Sequence, residues 1–201
     1  MVTGGRARPS TRGLRETRKD AIISAAATVL RTEGVAGCTV RNIAEVGNVS
    51  KSAIHYYFTD ITDIVDLALA RLLDRFISRV EHAAEGIGDP FEALWAAVAE
   101  YVRTGSDTPT SDRAPLLAFD YHVDATRRGD NSAMAALTER VGALFRRLVE
   151  ATGTPDPDAV AETLLSALIG TVVRAPLSSR DTEDALDALS RALRLPRRRP
   201  G

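Results

Sequence analysis

The chain has 201 residues and a mass of 21.6 kDa, is 44% hydrophobic and 26% charged, and carries a formal net charge of −1. That balance excludes disorder through the middle of the chain, and no run approaches the roughly 18 consecutive apolar residues of a membrane span. One cysteine and three scattered histidines exclude an internal disulfide and offer no metal-ligand spacing, so neither a metal nor a cofactor is expected.

The near-neutral total hides an asymmetry. Residues 1–60 hold nine Lys/Arg against five Asp/Glu, whereas residues 61–201 hold seventeen against twenty-two. A basic front on an acidic remainder predicts that only the front meets a polyanion. The opening "MVTGGRARPSTRGLRETRKD" has no apolar run behind its basic residues, which predicts a cytoplasmic protein rather than a secreted one. Residues 1–16 read as a flexible basic arm.

The first predicted helix, "TRKDAIISAAATVLRTEG", carries Ile22, Ile23, Ala26, Ala27, Val29 and Leu30 on a broad apolar stripe and stops at Gly34. Cys38 reads as a small buried hydrophobe in the following loop. Thr39 is placed to cap a short helix from Val40 to Val46, which Gly47-Asn48 then breaks. Ser50 caps the next short helix, in which Ile54 and Phe58 face inward and Lys51, Ser52, His55 and Tyr56 face out. Asp60 opens a helix of about 25 residues with Ile64, Leu67, Ala68, Leu72, Phe76 and Val80 at three- and four-residue intervals. Pro90 opens another, and the polar stretch from Gly105 to Asp112 reads as a loop. Ala114 to Arg128 is helical, with Pro115 tolerated in the first turn. Two long helices in "NSAMAALTERVGALFRRLVEATG" and "DPDAVAETLLSALIGTVVRA" follow, then "TEDALDALSRALR" and a basic tail, residues 196–201, read as disordered. No alternating strand pattern emerges, so the fold class is all-α.

Helix, tight turn and second helix within residues 40–58 predict a helix-turn-helix, whose second helix enters the major groove of double-stranded DNA. Lys51 can donate to guanine edges or phosphates, Ser52 can make short hydrogen bonds, and His55 and Tyr56 can touch phosphates or thymine methyls. Arg41 can reach phosphate, and Arg12, Arg15, Arg18 and Lys19 can reach neighbouring phosphates or the minor groove. The same residues would equally solvate a small core, so spacing alone leaves that alternative open.

Thr39, Val40, Arg41, Ile43, Ala44, Val49, Ser50, Ile54, Tyr57 and Phe58 match the pattern T-V-R-x-I-A-x-x-A-G-V-S-x-G-x-L-Y-x-Y/H-F, and this stretch resembles the DNA-binding domain of the TetR family of bacterial one-component regulators. The resemblance adds Thr39, Ser50 and Tyr57 to the DNA-facing set. Three features depart from the pattern: Gly47-Asn48 for Ala-Gly, Ser52 for the glycine, and His55 for a phosphate-binding tyrosine. A fourth, Ile61, stands where a lysine often follows. Neutral histidine attracts phosphate weakly near pH 7, which shifts the burden to Lys51, Arg41 and the arm.

The resemblance implies a DNA-binding module over residues 17–60 and an effector-binding and dimerisation module over 61–195. It implies a homodimer on a palindromic operator, most often a repressor released by a small, partly apolar effector, with co-repression or activation as alternatives. Trp95, Tyr101, Phe119 and His122 are the effector candidates. Phe145 and Leu148, with Leu165, Leu168, Ile169 and Val172, are the candidate dimer interface, although they would also complete a monomeric core. A helical dimer that ignores DNA is a rival reading. An enzyme is not expected, because Asp120, His122 and Asp124 at intervals of two point to different sides of a helix and no activated nucleophile accompanies them.

Overall fold

A computed structural model describes residues 11–103, 114–130, 132–174 and 181–198. All regular structure among them is α-helical: α1 (Thr11–Gly37), α2 (Val40–Val46), α3 (Lys51–Tyr57), α4 (Ile61–Ala84), α5 (Pro90–Arg103), α6 (Ala114–Arg128), α7 (Ser132–Ala151), α8 (Pro157–Arg174) and α9 (Thr182–Leu193). The chain divides into two units, residues 1–69 and 70–201, and the boundary falls within α4. No helix among the described residues is long and apolar enough to cross a membrane.

In the first unit the apolar stripe of α1 is its buried face: Ile22, Ala26, Val29 and Leu30 are closed to solvent. The helix begins at Thr11, earlier than the expected arm allows, because arginine, leucine and glutamate are good helix formers and nothing but Gly13 opposes them. Residues 1–10 of that arm lie outside the described residues. Gly34 adopts φ 73° and ψ −174°, which breaks the helix where the sequence places its stop, and one further turn closes at Gly37. Cys38 is buried beneath this turn, with its thiol 4.0 Å from the carbonyl of Ala26.

The second unit is built on Leu72, Phe76 and Val80 of α4, Leu94, Val98 and Tyr101 of α5, Phe145 and Val149 of α7, and Leu164, Leu168 and Val172 of α8. Tyr101 stands edge-on to Phe76 and to Phe145, with ring centroids 5.2 and 5.9 Å apart. Helices α7 and α8 pair across the short connection 152–156, and α5 packs on α7, α8 and α9. Two ion pairs one heptad apart, Asp74 with Arg140 and Glu81 with Arg147, link α4 to α7. The buried carboxylate Glu100 is held by Arg79, 3.4 Å away, and by Arg103. Aspartates start several helices: Asp60 accepts from the N–H of Thr62, Asp89 from Phe91 and Glu92, and Asp181 from Asp184. At α7 the carboxylate of Asp130 accepts from the N–H and hydroxyl of Ser132, and those bonds lower its pKa.

The C-terminal stretch differs from the disordered tail expected of its composition. Arg194 takes the left-handed φ of 55° that ends α9, and the chain turns back so that Leu195 is buried. The indole N–H of Trp95 donates to the carbonyl of Pro196 at 2.7 Å. The guanidinium of Arg197 bridges Glu183 and Asp187 at 2.5 Å each, with only 5% of its side chain exposed. Composition reads as basic and solvated; two carboxylates on α9 supply the partners that make burial favourable. Residues 199–201, and the loop expected at 105–112, lie outside the described residues.

Candidate functional site

Helices α2 and α3 have seven residues each, too few to persist alone. Hydroxyl caps begin both. Thr39 accepts from the N–H of Asn42 at 3.2 Å, and Ser50 accepts from the N–H of Ala53 at 3.1 Å. The amide of Asn42 donates to Glu33 at 2.7 Å and to the carbonyl of Gly37 at 2.9 Å, fastening α2 to the end of α1. Ile43, Ile54 and Phe58 are buried, so each short helix has one face in the core.

The turn divides its demands between two residues. Gly47 is right-handed, φ −81° and ψ −5°, yet a Cβ there would stand 3.0 Å from the Cβ of Ala25 on α1. Asn48 carries the positive φ, 47°, for which asparagine is better suited than most residues. Val49 then donates its N–H to the carbonyl of Ala44 at 3.0 Å and half-buries its side chain. The break at Gly47-Asn48 thus serves close helix approach and chain reversal separately.

With that face fixed, Lys51, Ser52, His55 and Tyr56 are all exposed on α3, and Tyr56 is 69% open to solvent. Tyr57 is half-buried and packs its ring perpendicular to that of Tyr56 at 5.0 Å. The guanidinium of Arg15 lies 5.6 Å above the Tyr56 ring, and Lys19 lies 5.5 Å above Phe58. These contacts bring the basic residues of α1 beside the outward face of α3. Arg18 and Arg41 are exposed, and Thr39 and Ser50 use their oxygens on the caps while keeping a hydroxyl proton to donate. Such a surface can bind phosphates through Lys and Arg and present hydrogen-bonding and aromatic edges to a groove.

In the second unit Tyr101, Phe119 and His122 line one cavity of about 310 Å³. Trp95 does not join them; it lines a separate cavity of about 500 Å³ with Phe91, Leu186 and Pro196. Much of the first cavity's wall comes from residues the sequence did not single out as ligand-facing, among them Leu73, Phe76, Leu137, Thr138 and Val141. Helical spacing marks the apolar ones as core and carries no signal that a gap adjoins them. Burial pushes the phenol of Tyr101 up to about 12 and the thiol of Cys38 up to about 11, the latter helped by the charge of Glu33. Of the six residues considered for an interface, Phe145, Leu168 and Val172 are buried within the chain, Leu148 and Leu165 are half-buried, and Ile169 is 40% exposed. No cluster that would hold a metal ion occurs among the described residues.

Residues 22–68 match the family described as bacterial regulatory proteins, tetR family. The HTH-type transcriptional regulator HbdR of Aromatoleum sp. strain CIB is 36% identical over 86 residues, 43% of this chain and 38% of that one. The nicotine-responsive transcriptional repressor HdnoR of Paenarthrobacter nicotinovorans is 31% identical over 72 residues, 36% of this chain and 37% of that one. The chain thus spans under two fifths of the length of these two curated relatives. Among solved structures, a transcriptional regulator from Rhodococcus sp. Rha1 superposes with a TM-score of 0.72 at 22% identity, over 87% of this chain and 93% of the other. AibR, solved with isovaleryl coenzyme A and operator DNA, superposes with a TM-score of 0.64 at 17% identity, over 87% and 97%. At those identities the likeness is one of fold.

Proposed function

Since the chain belongs to the tetR family of bacterial transcriptional regulators, we propose that it is a cytoplasmic repressor that binds a palindromic operator as a homodimer and is released by a small-molecule effector. It is a regulator rather than an enzyme. The observation that carries the proposal is the α3 surface: Ile54 and Phe58 are buried while Lys51, Ser52, His55 and Tyr56 stand together in solvent with Arg15 beside them. The second helix of such a motif reads base edges, and one copy reads too few bases for specificity near physiological salt, which favours two copies on a two-fold site. A repressor among the relatives and an operator complex among the structural neighbours support the same reading.

Residues 17–60 are proposed as the DNA-binding module and 61–195 as the module for effector and dimerisation. The cavity bearing Tyr101, Phe119 and His122 is the effector site in this reading, and the exposed edge of α8 at Ile169 belongs to the dimer contact. Release requires only that the effector bind one of two dimer conformations better than the other.

The test is selection of bound fragments from genomic DNA, followed by mobility shift on the best fragment at several salt concentrations. A palindrome bound by wild type, with a salt slope lowered by about 1 in Lys51→Ala and again in Arg41→Ala, is the expected result. Equal binding of scrambled DNA, or slopes unchanged in both variants, would remove the operator assignment.

A further inference from the structure

The cavity of the second unit has a chemistry that narrows its occupant, and this step rests on the effector reading above. At about 310 Å³ it stands at the low end of the roughly 300–1,000 Å³ usual for small-molecule sites. Leu73 and Phe76 of α4, Leu137 and Val141 of α7 and Leu165 of α8 are among its apolar walls. Among the described lining residues the polar groups are those of Tyr101, His122 and Thr138, and none is Lys, Arg, Asp or Glu. His122 and Thr138 are exposed, as is Phe119 at 44%, which puts the opening at their end.

Two arginines beside the apolar wall are already paired. Arg79, whose guanidinium lies 5.9 Å from the Phe76 ring, is paired with Glu100, and Glu100 is also held by Arg103. Arg140, next to the lining residue Val141, is paired with Asp74. Because burial keeps the Tyr101 phenol protonated, that wall offers no anion either. A carboxylate or ammonium group entering among these side chains would give up its hydration and meet no counter-charge among the described lining residues.

We infer that the cavity takes an uncharged, mainly apolar small molecule with a single hydrogen-bonding group, oriented with that group toward His122 and Thr138, and that it rejects organic anions and cations of the same shape. A neutral hydroxyl or carbonyl is satisfied by either side chain at the rim, while the carbon skeleton covers the inner walls.

Three probes of one skeleton separate the possibilities: naphthaleneethanol, naphthaleneacetate and naphthaleneethylammonium, titrated calorimetrically into the full chain at about pH 8, above the ordinary histidine range. The alcohol is expected to bind about tenfold tighter than either ion. Its heat should disappear when the mouth is filled by Thr138→Trp or, as a second variant on the lining, by Met134→Trp. An ion that binds as tightly as the alcohol overturns the inference. So does an absence of binding by all three, or alcohol binding that survives in both filled variants. Mobility shift with the same probes keeps the two readings apart. If the alcohol binds in the cavity and leaves operator affinity unchanged, the ligand class stands and the effector role falls. If an ion binds best and releases the operator, the effector role stands and the ligand class falls.

Discussion

Replacing Gly47 by alanine isolates the close approach on which the motif depends. The backbone there, φ −81° and ψ −5°, suits any residue, so conformational strain is not at issue. The new methyl meets the Cβ of Ala25 and the carbonyl oxygen of Ile43, each at 3.0 Å, whereas carbon atoms pack best at about 3.5–4.0 Å. Helices α1 and α2 must therefore give by a few tenths of an ångström at their crossing, an overpacking that costs about 1–3 kcal/mol. Ala25→Gly removes the opposing carbon at its own cost of about 1 kcal/mol in helix propensity. In the pair of substitutions the contact with α1 is gone while the one with the Ile43 carbonyl remains, so Ala25→Gly/Gly47→Ala should cost less than the two single substitutions summed, by more than about 0.5 kcal/mol. Urea unfolding followed by far-ultraviolet circular dichroism measures all four proteins, with Trp95 fluorescence reporting the second unit separately. Operator affinity should fall in Gly47→Ala and recover in part in the pair, because the displaced helix leads into α3. If Gly47→Ala is as stable as wild type, or the costs of the two substitutions simply add, close approach is not why glycine stands there.

At Asn48 the backbone and not the space is limiting, since φ is 47°: Asn48→Ala should lose about 1 kcal/mol and Asn48→Gly should lose little or nothing, and equal losses in urea would refute this. Arg197→Ala should destabilise the second unit by about 2 kcal/mol, discounted because Glu183 is half exposed, and should change Trp95 fluorescence by loosening Pro196; an unchanged spectrum would mean the tail does not depend on this bridge. The Cys38 thiol, raised to about 11 from an ordinary 9.0, ionises more readily in the unfolded chain. Its contribution is therefore complete below pH 9.0 and lost toward about 11, and Cys38→Ala should flatten the fall in stability across that window. Iodoacetamide at about pH 8 should label Cys38 far more slowly in the folded protein than in urea, and equal rates would contradict its burial.

How far these features could be read from the sequence depended on whether their cause was local. Thr39 and Ser50 are caps in the structure because cap preference is decided within three residues, and the same holds for the stop at Gly34. Ile54 and Phe58 are buried because a four-residue interval fixes a face. Periodicity fixes the face but not its neighbour. Phe145, Leu168 and Val172 show the apolar spacing that a core and an interface share, and only the packing of α5 and α9 determines that they are closed within one chain. Trp95 and Tyr101, both effector candidates by the resemblance, share one helix. The six-residue step between them turns the indole toward the C-terminal stretch, where the carbonyl of Pro196 satisfies it. Arg197 is the hardest to foresee: Glu183 and Asp187 share a face of α9 by their four-residue spacing, but Arg197 reaches them only because the left-handed Arg194 turns the chain back.

The polar stretch of α3 is best explained by what it does not have to do. A seven-residue helix gains almost nothing from its own hydrogen bonds, and here the caps, the Ile54 and Phe58 contacts and the turn at Gly47-Asn48 supply its stability from one side. The other side is then free of structural duty, which is why Lys51, Ser52, His55 and Tyr56 can be polar, varied and exposed together. A face that merely solvated the core would tolerate substitution without any change in binding. A face that reads DNA predicts a separation: changes at Lys51 or His55 alter operator affinity at constant stability, whereas changes at Ile54, Ser50 or Gly47 alter both. Tyr56 tests the distinction most sharply, because it is 69% exposed and yet touched by Arg15 from α1. An exposed cation–aromatic contact is worth about 0.5–1 kcal/mol, so Tyr56→Ala should cost the fold no more than that. Any larger loss in operator binding then belongs to the surface itself.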